Sequence, residues 1–270
     1  MSSIFAITLP RSTIRHEHIQ NELRRKTSLP YELLGVDGVE LRASGAPWPH
    51  NQGLRDSEVG CALSHVTACR RIVELDLPAA LIVEDDVILP DNIDIILKKL
   101  SEEIVTGEII SLYNRTLRPE RFSTHNAKDV MGMRLLHPTE SRIMRTAAAY
   151  FIDRSAAENI VRLNSPIQVV ADNWMHFYQA GAVSTYRLLH PTPIRLFPFP
   201  STLAVDRGGK VENVIKRIIN KVSVLQKLLQ VRRRKIERKR ENNVILVDLP
   251  SDMIRGRASK TISAADKTTT

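Results

Sequence analysis

The segment ALIVEDDVIL, residues 80–89, places four apolar residues before Glu84, Asp85 and Asp86 and three after them. Its first half has the composition of a buried strand. Alternate side chains of an extended strand share a side, so Glu84 and Asp86 are expected to converge while Asp85 points away. Because adjacent carboxylates repel one another, we expect a divalent cation, Mg²⁺ or Mn²⁺, to be bound there by hard oxygen ligands. The alternative is a solvated acidic turn.

Apolar segments alternate with segments of helical spacing through most of the chain. The predicted strands lie at residues 3–9, from residue 31, and at residues 79–83, 107–113 and 146–153. The predicted helices lie at residues 11–26, 57–76 and 154–164, the second capped by Ser57, with a turn at Asp37 and Gly38 and a polar loop over residues 43–57. This order predicts an α/β sandwich with a largely parallel sheet. Ligands of such sheets bind at the carboxyl ends of the strands, where the three acids fall.

The positive charge is confined to one segment. Residues 206–241 contain thirteen Lys or Arg and four Asp or Glu, which accounts for the whole net charge of +9. Apolar residues recur there at helical spacing, which predicts a basic amphipathic helix that lies on an anionic membrane. A helix packed on the rest of the protein or on a second subunit is the alternative. The segment lacks interleaved aromatic residues, which argues against nucleic acid as its partner.

Other features of the sequence indicate a cytoplasmic protein. Cys61 and Cys69 are the only cysteines, too few for a disulfide framework. The first fifteen residues have no signal-peptide pattern, and no stretch is long and apolar enough to span a bilayer. We therefore expect a soluble or peripherally bound protein in a reducing compartment, with a flexible terminus over residues 242–270.

Five segments resemble glycosyltransferase family 25, the lipooligosaccharide galactosyl- and glucosyltransferases of Gram-negative bacteria. They lie in the family's order over roughly residues 3–203, and the most specific part joins EVGCALSH to LIVEDDVIL. The resemblance implies a GT-A fold of Rossmann type over residues 1–205, a nucleotide-sugar donor, usually UDP-galactose, and a metal at the acidic motif. It also implies inversion at the anomeric carbon. This sequence has EDD where other GT-A families often have Asp-x-Asp, which leaves open which acid contacts the metal.

The resemblance also assigns expected roles to residues outside the acidic motif. Asp172 in VVADNWM matches the family's later acidic motif and is the expected general base; the alternative is that it caps the helix that follows. His190 is a candidate third metal ligand beside Glu84 and Asp86. The other candidate substrate-binding residues are Thr8, Leu9, Pro10, Arg11 and Arg15 for phosphate, Val36, Asp37 and Gly38 for the base, and Ser64, His65, Glu84 and Asp85. Ordinary loop, turn and helix roles are the alternatives.

These expectations combine into one function. The chain is expected to transfer a hexose, galactose by resemblance, from a UDP-sugar to a lipooligosaccharide, lipopolysaccharide or related surface glycan. A lipid-linked saccharide acceptor would place it at the cytoplasmic face of the inner membrane, held there by residues 206–241. The competing hypothesis is a non-catalytic protein with a degenerate transferase domain, bound to membrane or nucleic acid through the same segment.

Overall fold

The computed structural model describes residues 2–45, 53–114, 120–199 and 244–247. The helices are α1 (Thr13–Lys26), α2 (Gly38–Ala43), α3 (Asp56–Glu74), α4 (Ile93–Glu103), α5 (Arg154–Leu163) and α6 (Trp174–Ala180), with a 3₁₀ turn at Ser141–Ile143. The strands are β1 (Ser3–Ile7), β2 (Tyr31–Leu34), β3 (Ala79–Glu84), β4 (Val87–Ile88), β5 (Glu108–Ser111), β6 (Glu120–Val130), β7 (Met133–Pro138), β8 (Ala149–Asp153), β9 (Thr185–His190), β10 (Arg195–Leu196) and β11 (Val244–Val247).

Nine of the described strands form one large mixed sheet in the order β11-β6-β7-β9-β5-β8-β3-β1-β2, and β4 pairs separately with β10. β1 pairs in parallel with both β2 and β3, and β5 pairs in parallel with β9. β8 is antiparallel to its neighbours β3 and β5, so those two strands still run in the same direction. The central strands β2, β1, β3, β5 and β9 therefore share one direction, interrupted by β8. The predicted α/β class is confirmed.

Alternation along the strands builds a separate core on each face of this sheet. Phe5 and Ile82 face one core, together with α3, α5 and α6. Their neighbours Ile4 and Leu81 face the other core, together with α1 and α4. Central strands buried on both faces read as continuous apolar runs, which is why they were recognisable in the sequence.

Two local predictions were wrong. Asp37 and Gly38 do not form a turn, because Asp37 caps α2 by accepting the N–H groups of Val39 and Glu40. Ser57 does not cap α3, which begins at Asp56; the backbone N–H of Arg55 donates to the Glu58 carboxylate instead, at 3.0 Å. A polar cap and a polar turn have similar composition, so the sequence did not distinguish them.

The carboxyl-terminal part of the chain is described only in one short strand. Within the segment expected to be flexible, Val244–Val247 form β11, which pairs antiparallel with β6. β6 and β7 form an antiparallel pair that the sequence did not predict, because β6 carries mainly polar residues. The predicted amphipathic helix within residues 206–241 lies outside the described residues. In the part of the chain that is described, no helix has the length and apolarity to cross a membrane.

Candidate functional site

The carboxyl ends of β1, β2 and β3 lie side by side and form the floor of the site. Parallel pairing aligns Ile7 with Leu34 and with Glu84, so the residues that follow each strand meet at one edge. Thr8 is buried there, and its backbone N–H donates to the Leu34 carbonyl at 2.7 Å. The sheet therefore brings together residues from three separate candidate motifs.

The acidic motif is a turn whose two aspartates share one arginine. Arg15, from α1, donates from Nη1 to Asp85 Oδ1 at 2.9 Å and from Nη2 to Asp86 Oδ2 at 3.1 Å. Asp85 and Asp86 thus lie on the same side, contrary to the alternation predicted for an extended chain. The strand ends at Glu84, and the backbone turns before β4 begins, so strand geometry no longer applies. Arg15, expected to bind phosphate, is held by these carboxylates.

The aspartates carry more negative charge than Arg15 neutralises. Burial, and then the charge of Glu84, raises the pKa of Asp86 to about 7. Burial is also the main cause of the raised pKa of Asp85. Asp86 Oδ1 is buried without a hydrogen-bond partner among the described residues. Hard oxygen donors, unneutralised charge and a free buried oxygen fit a divalent cation such as Mg²⁺ or Mn²⁺.

Glu84 lies beside a buried histidine. His65 on α3 hydrogen-bonds through Nδ1 to the Tyr150 hydroxyl at 3.0 Å, and its Nε2 lies 3.7 Å from Glu84 Oε1. Cys61, one turn earlier on α3, also lies close: one ligand atom each from Cys61, His65 and Glu84 lie within 4.8 Å of one another. His65 is therefore part of the site, and Tyr150, which the sequence did not single out, orients it.

Asp172 lies next to this group and does not cap α6. The cap is Asn173, whose side chain accepts the His176 N–H at 3.2 Å. Trp174 anchors the helix by packing edge-on against Tyr150 with ring centroids 4.9 Å apart. Asp172 itself is exposed at the surface of the site. Partial burial of the carboxyl group, followed by the Glu84 charge, raises the pKa of Asp172.

The loop after β2 forms one wall of the site and packs closely against α3. Ser64 Oγ accepts the Val36 N–H at 2.8 Å and donates to the Gly60 carbonyl at 2.7 Å. A Cβ on Gly60 would lie 2.5 Å from the Gly38 nitrogen, so only glycine permits this approach. The EVGCALSH block therefore fixes the loop with Gly60 and Ser64 and supplies Cys61 and His65 to the site. Ser64 positions the loop through these two bonds, and its contact with a ligand stays a prediction.

The remaining predicted phosphate-binding residues lie around the start of α1. Arg11 is exposed and paired with Asp37, so both have partners within the protein. The Leu9 carbonyl accepts the Ser12 N–H at 2.9 Å, and Pro10 is exposed. These residues border the site, and their contact with phosphate stays a prediction.

His190 is placed away from the acidic turn. It ends β9, and β5 and β8 separate that strand from β3. Three inter-strand steps put the backbones of His190 and Glu84 about 14 Å apart. The role of His190 as a metal ligand stays a prediction.

The segment after β9 returns to the acidic turn, a feature that the sequence did not indicate. β10 pairs antiparallel with β4, and the Phe197 N–H donates to the Asp86 carbonyl at 2.6 Å. The Arg15 guanidinium lies over the Phe199 ring, 5.3 Å from its centroid. This return contact covers Arg15.

Comparison with known proteins identifies the family. No curated protein sequence matches the chain. Among solved structures, the crystal structure of mannose-1-phosphate geranyltransferase from Thermus thermophilus is similar at 12% identity, covering 72% of this chain and 75% of that chain, with a TM-score of 0.30. A likeness of that size adds nothing about activity. The model of glycosyltransferase family 25 (LPS biosynthesis protein) matches residues 1–175, which include the acidic turn, His65 and Asp172. The chain therefore belongs to glycosyltransferase family 25 and is a glycosyltransferase.

Proposed function

We propose that the protein is a metal-dependent, inverting GT-A transferase that moves galactose from UDP-galactose to a lipooligosaccharide or lipopolysaccharide acceptor. The observation that carries this proposal is the acidic turn, where Asp85 and Asp86 share Arg15 while Asp86 Oδ1 has no partner among the described residues. Family membership supports the sugar transfer. The metal, the donor and the stereochemistry belong to the proposal.

Glu84 and Asp86 would hold the divalent cation, with Asp85 beside them. A bound Mn²⁺ or Mg²⁺ would offset the negative charge that develops on the nucleoside diphosphate as it leaves. Arg15 supplies a permanent positive charge at the same point and holds both aspartates in place. Phe199 covers the guanidinium and limits its access to water. The protein thereby keeps its fixed charges oriented before substrate arrives.

Asp172 is the proposed general base. Its carboxylate would accept the proton of the acceptor hydroxyl as that oxygen forms the new bond to the anomeric carbon. The side chain is exposed, so it can reach an acceptor, and its raised pKa makes it a better proton acceptor than an ordinary aspartate. Capping by Asn173 and packing of Trp174 hold the adjoining backbone. Asp172 is therefore free of a structural duty at the helix terminus.

The donor nucleotide would lie against the loop after β2. Val36 and Gly38 are fixed to α3 through Ser64 and the close approach of Gly60. A rigid loop binds a planar base at lower entropic cost than a mobile one. Thr8 and Arg11 border the same edge and would contact the phosphates, Arg11 by exchanging its pairing with Asp37.

The acceptor would be lipid-linked, with residues 206–241 binding the anionic cytoplasmic face of the inner membrane. The concentration of the chain's net charge in that segment supports this proposal. Replacing Arg232, Arg233, Arg234 and Lys235 together by Gln tests it without removing β11. Sedimentation with anionic vesicles should fall at least about tenfold, since each basic residue contributes about 1 kcal/mol near such a surface. Unchanged sedimentation would assign membrane binding to another surface.

Acceptor-independent hydrolysis of UDP-galactose tests the catalytic proposal. An active transferase without acceptor slowly transfers the sugar to water and releases UDP, whereas a binding protein with a degenerate site does not. We expect UDP release with Mn²⁺ and none in chelator, with Asp172→Asn as the matched inactive protein. Tight binding without any UDP release would instead favour the non-catalytic alternative.

A further inference from the structure

A second set of donor groups lies behind the acidic turn and has a different chemistry. Cys61 and His65 are four residues apart on α3, so they share one face of the helix. Glu84 approaches them from the end of β3. Within the described parts of the chain, this is the one group of three such side chains whose ligand atoms lie within 4.8 Å of one another. It combines a thiol, an imidazole and a carboxylate.

The histidine is already oriented as a metal ligand would be. Its side chain is 5% exposed, and the described residues give its Nε2 no hydrogen-bond partner. The 3.7 Å separation from Glu84 Oε1 is too long for a hydrogen bond. Nδ1 can donate to the Tyr150 hydroxyl at 3.0 Å, which leaves the lone pair of Nε2 facing Cys61 and Glu84. Metal-binding histidines in proteins are held by the same kind of second contact.

We propose that Cys61, His65 and Glu84 form a transition-metal site that takes Zn²⁺, separate in chemistry from the oxygen site for Mg²⁺ or Mn²⁺. A thiolate and an imidazole favour Zn²⁺ over both of those ions. Ligand atoms around a tetrahedral Zn²⁺ lie about 3.5 Å apart, so the group closes by about 1 Å when it binds. Water completes the coordination. The Cys61 thiol proton is released to solvent as the Zn–S bond forms.

Burial and nearby carboxylates keep the Cys61 thiol neutral in the absence of metal. Burial, and then the charges of Glu84 and Asp172, raise the pKa of the Cys61 thiol well above its ordinary value, so it is protonated and neutral. A thiolate next to Glu84 and Asp172 becomes favourable when the metal supplies positive charge.

Glu84 belongs to both proposed metal sites, which couples them. Zinc bound at Cys61 and His65 withdraws the Glu84 carboxylate from the acidic turn and therefore opposes binding of Mn²⁺ and donor. This consequence rests on the proposed function, whereas zinc binding itself does not. The coupling is reciprocal, so donor and Mn²⁺ should weaken zinc binding by the same factor.

Cobalt substitution in the full chain tests the site directly. Co²⁺ bound to a thiolate gives a near-ultraviolet charge-transfer band, and Cys61 and Cys69 are the only possible sources of it. We expect one thiolate-bound Co²⁺ per chain, reported by the band, and its displacement by Zn²⁺. Cys61→Ser should abolish the band and weaken Zn²⁺ binding at least about tenfold. Cys69→Ser, on the same helix, is the matched control and should keep both.

Two results would overturn the proposal: no band with the wild type, or a band that survives Cys61→Ser. Glu84→Gln gives a second check, since it should keep the band but bind Zn²⁺ more weakly; unchanged affinity would count against Glu84 as a ligand. In a transfer assay, Zn²⁺ should inhibit the wild type and Cys69→Ser but not Cys61→Ser. If no protein transfers sugar yet the band behaves as expected, the proposed function fails while the zinc site stands.

Discussion

Arg15 and Asp86 form an ion pair of 3.1 Å in which both side chains are less than one fifth exposed. One positive charge nevertheless faces two carboxylates, because Arg15 also binds Asp85. In addition, Asp86 Oδ1 has no partner in the described structure. Charge therefore remains uncompensated when no cation is present. Substitutions at these residues should therefore change the stability of the metal-free protein and its affinity for metal in opposite directions.

Asp86→Asn should stabilise the metal-free protein, and more so at high pH. Asp86 has a folded-state pKa of about 7, above the ordinary value for aspartate, so the folded protein binds more protons and loses stability as pH rises toward and through 7. The variant lacks this loss. Its advantage in unfolding free energy in chelator should grow from pH 5 to pH 8 by up to about 2.5 kcal/mol. Urea denaturation at both pH values measures it, and parallel pH profiles would contradict the role of Asp86.

Arg15→Gln should have the opposite effect, since it leaves two partly buried carboxylates without their cation. We expect a loss of about 3 kcal/mol in chelator at pH 8. Arg11→Gln is the control, because the Arg11 pair with Asp37 is exposed on the arginine side and should contribute less than about 1 kcal/mol. Mn²⁺ should raise the melting temperature of Arg15→Gln more than that of wild type, because the ion replaces the missing charge. Equal rises in the two proteins would place the ion elsewhere.

Ser64→Ala should loosen the loop after β2. The Ser64 hydroxyl accepts the Val36 N–H, so its loss leaves that amide unpaired and should cost about 1–3 kcal/mol of unfolding free energy. Ser101→Ala is a close control, since Ser101 makes the same bond to its own helix, to the Leu97 carbonyl, and should change stability by less than about 0.5 kcal/mol. The KM for donor should rise in Ser64→Ala alone. If both variants lose the same small amount of unfolding free energy and keep the wild-type KM for donor, Ser64 does not fix the loop.

Asp172→Asn and Asn173→Ala should separate catalysis from helix capping. Asn173 makes the capping bond, so Asn173→Ala should cost about 1 kcal/mol of stability while activity is largely kept. Asp172→Asn should keep the melting temperature and lower kcat by about 10² to 10⁴ fold, since a general base is lost. Thermal melts give the melting temperature, and transfer assays at saturating donor give kcat. If Asp172→Asn is destabilised but active, Asp172 has a structural role and is not the general base.

The sequence predicted those parts of the fold that depend on local pattern. β1, β3, β8, α1 and α5 were found because continuous apolar runs and helical spacing are set by burial within the segment itself. β6 and β7 were missed because long-range pairing, and not composition, makes them strands. β11 was missed for another reason: its apolar run has only four residues and lies in a segment that was expected to be flexible.

Within the site, sequence motifs identified residues but not their contacts. The convergence of Asp85 and Asp86 on Arg15 follows from the turn after Glu84, which strand alternation did not predict. Tyr150 was missed because an aromatic residue in a buried strand reads as core until its hydroxyl is seen to meet His65. Phe199 was missed because its contact with Arg15 joins segments far apart in the chain.

The central claim is that the acidic turn binds donor together with a divalent cation, and calorimetric titration with UDP-galactose tests it most directly. Wild type should bind the donor with Mn²⁺ present and at least about tenfold more weakly in chelator, a difference of about 1.4 kcal/mol. Asp86→Asn, folded and more stable than wild type in chelator, should bind weakly under both conditions. Equal affinity with and without Mn²⁺, or undiminished binding by Asp86→Asn, would contradict the account.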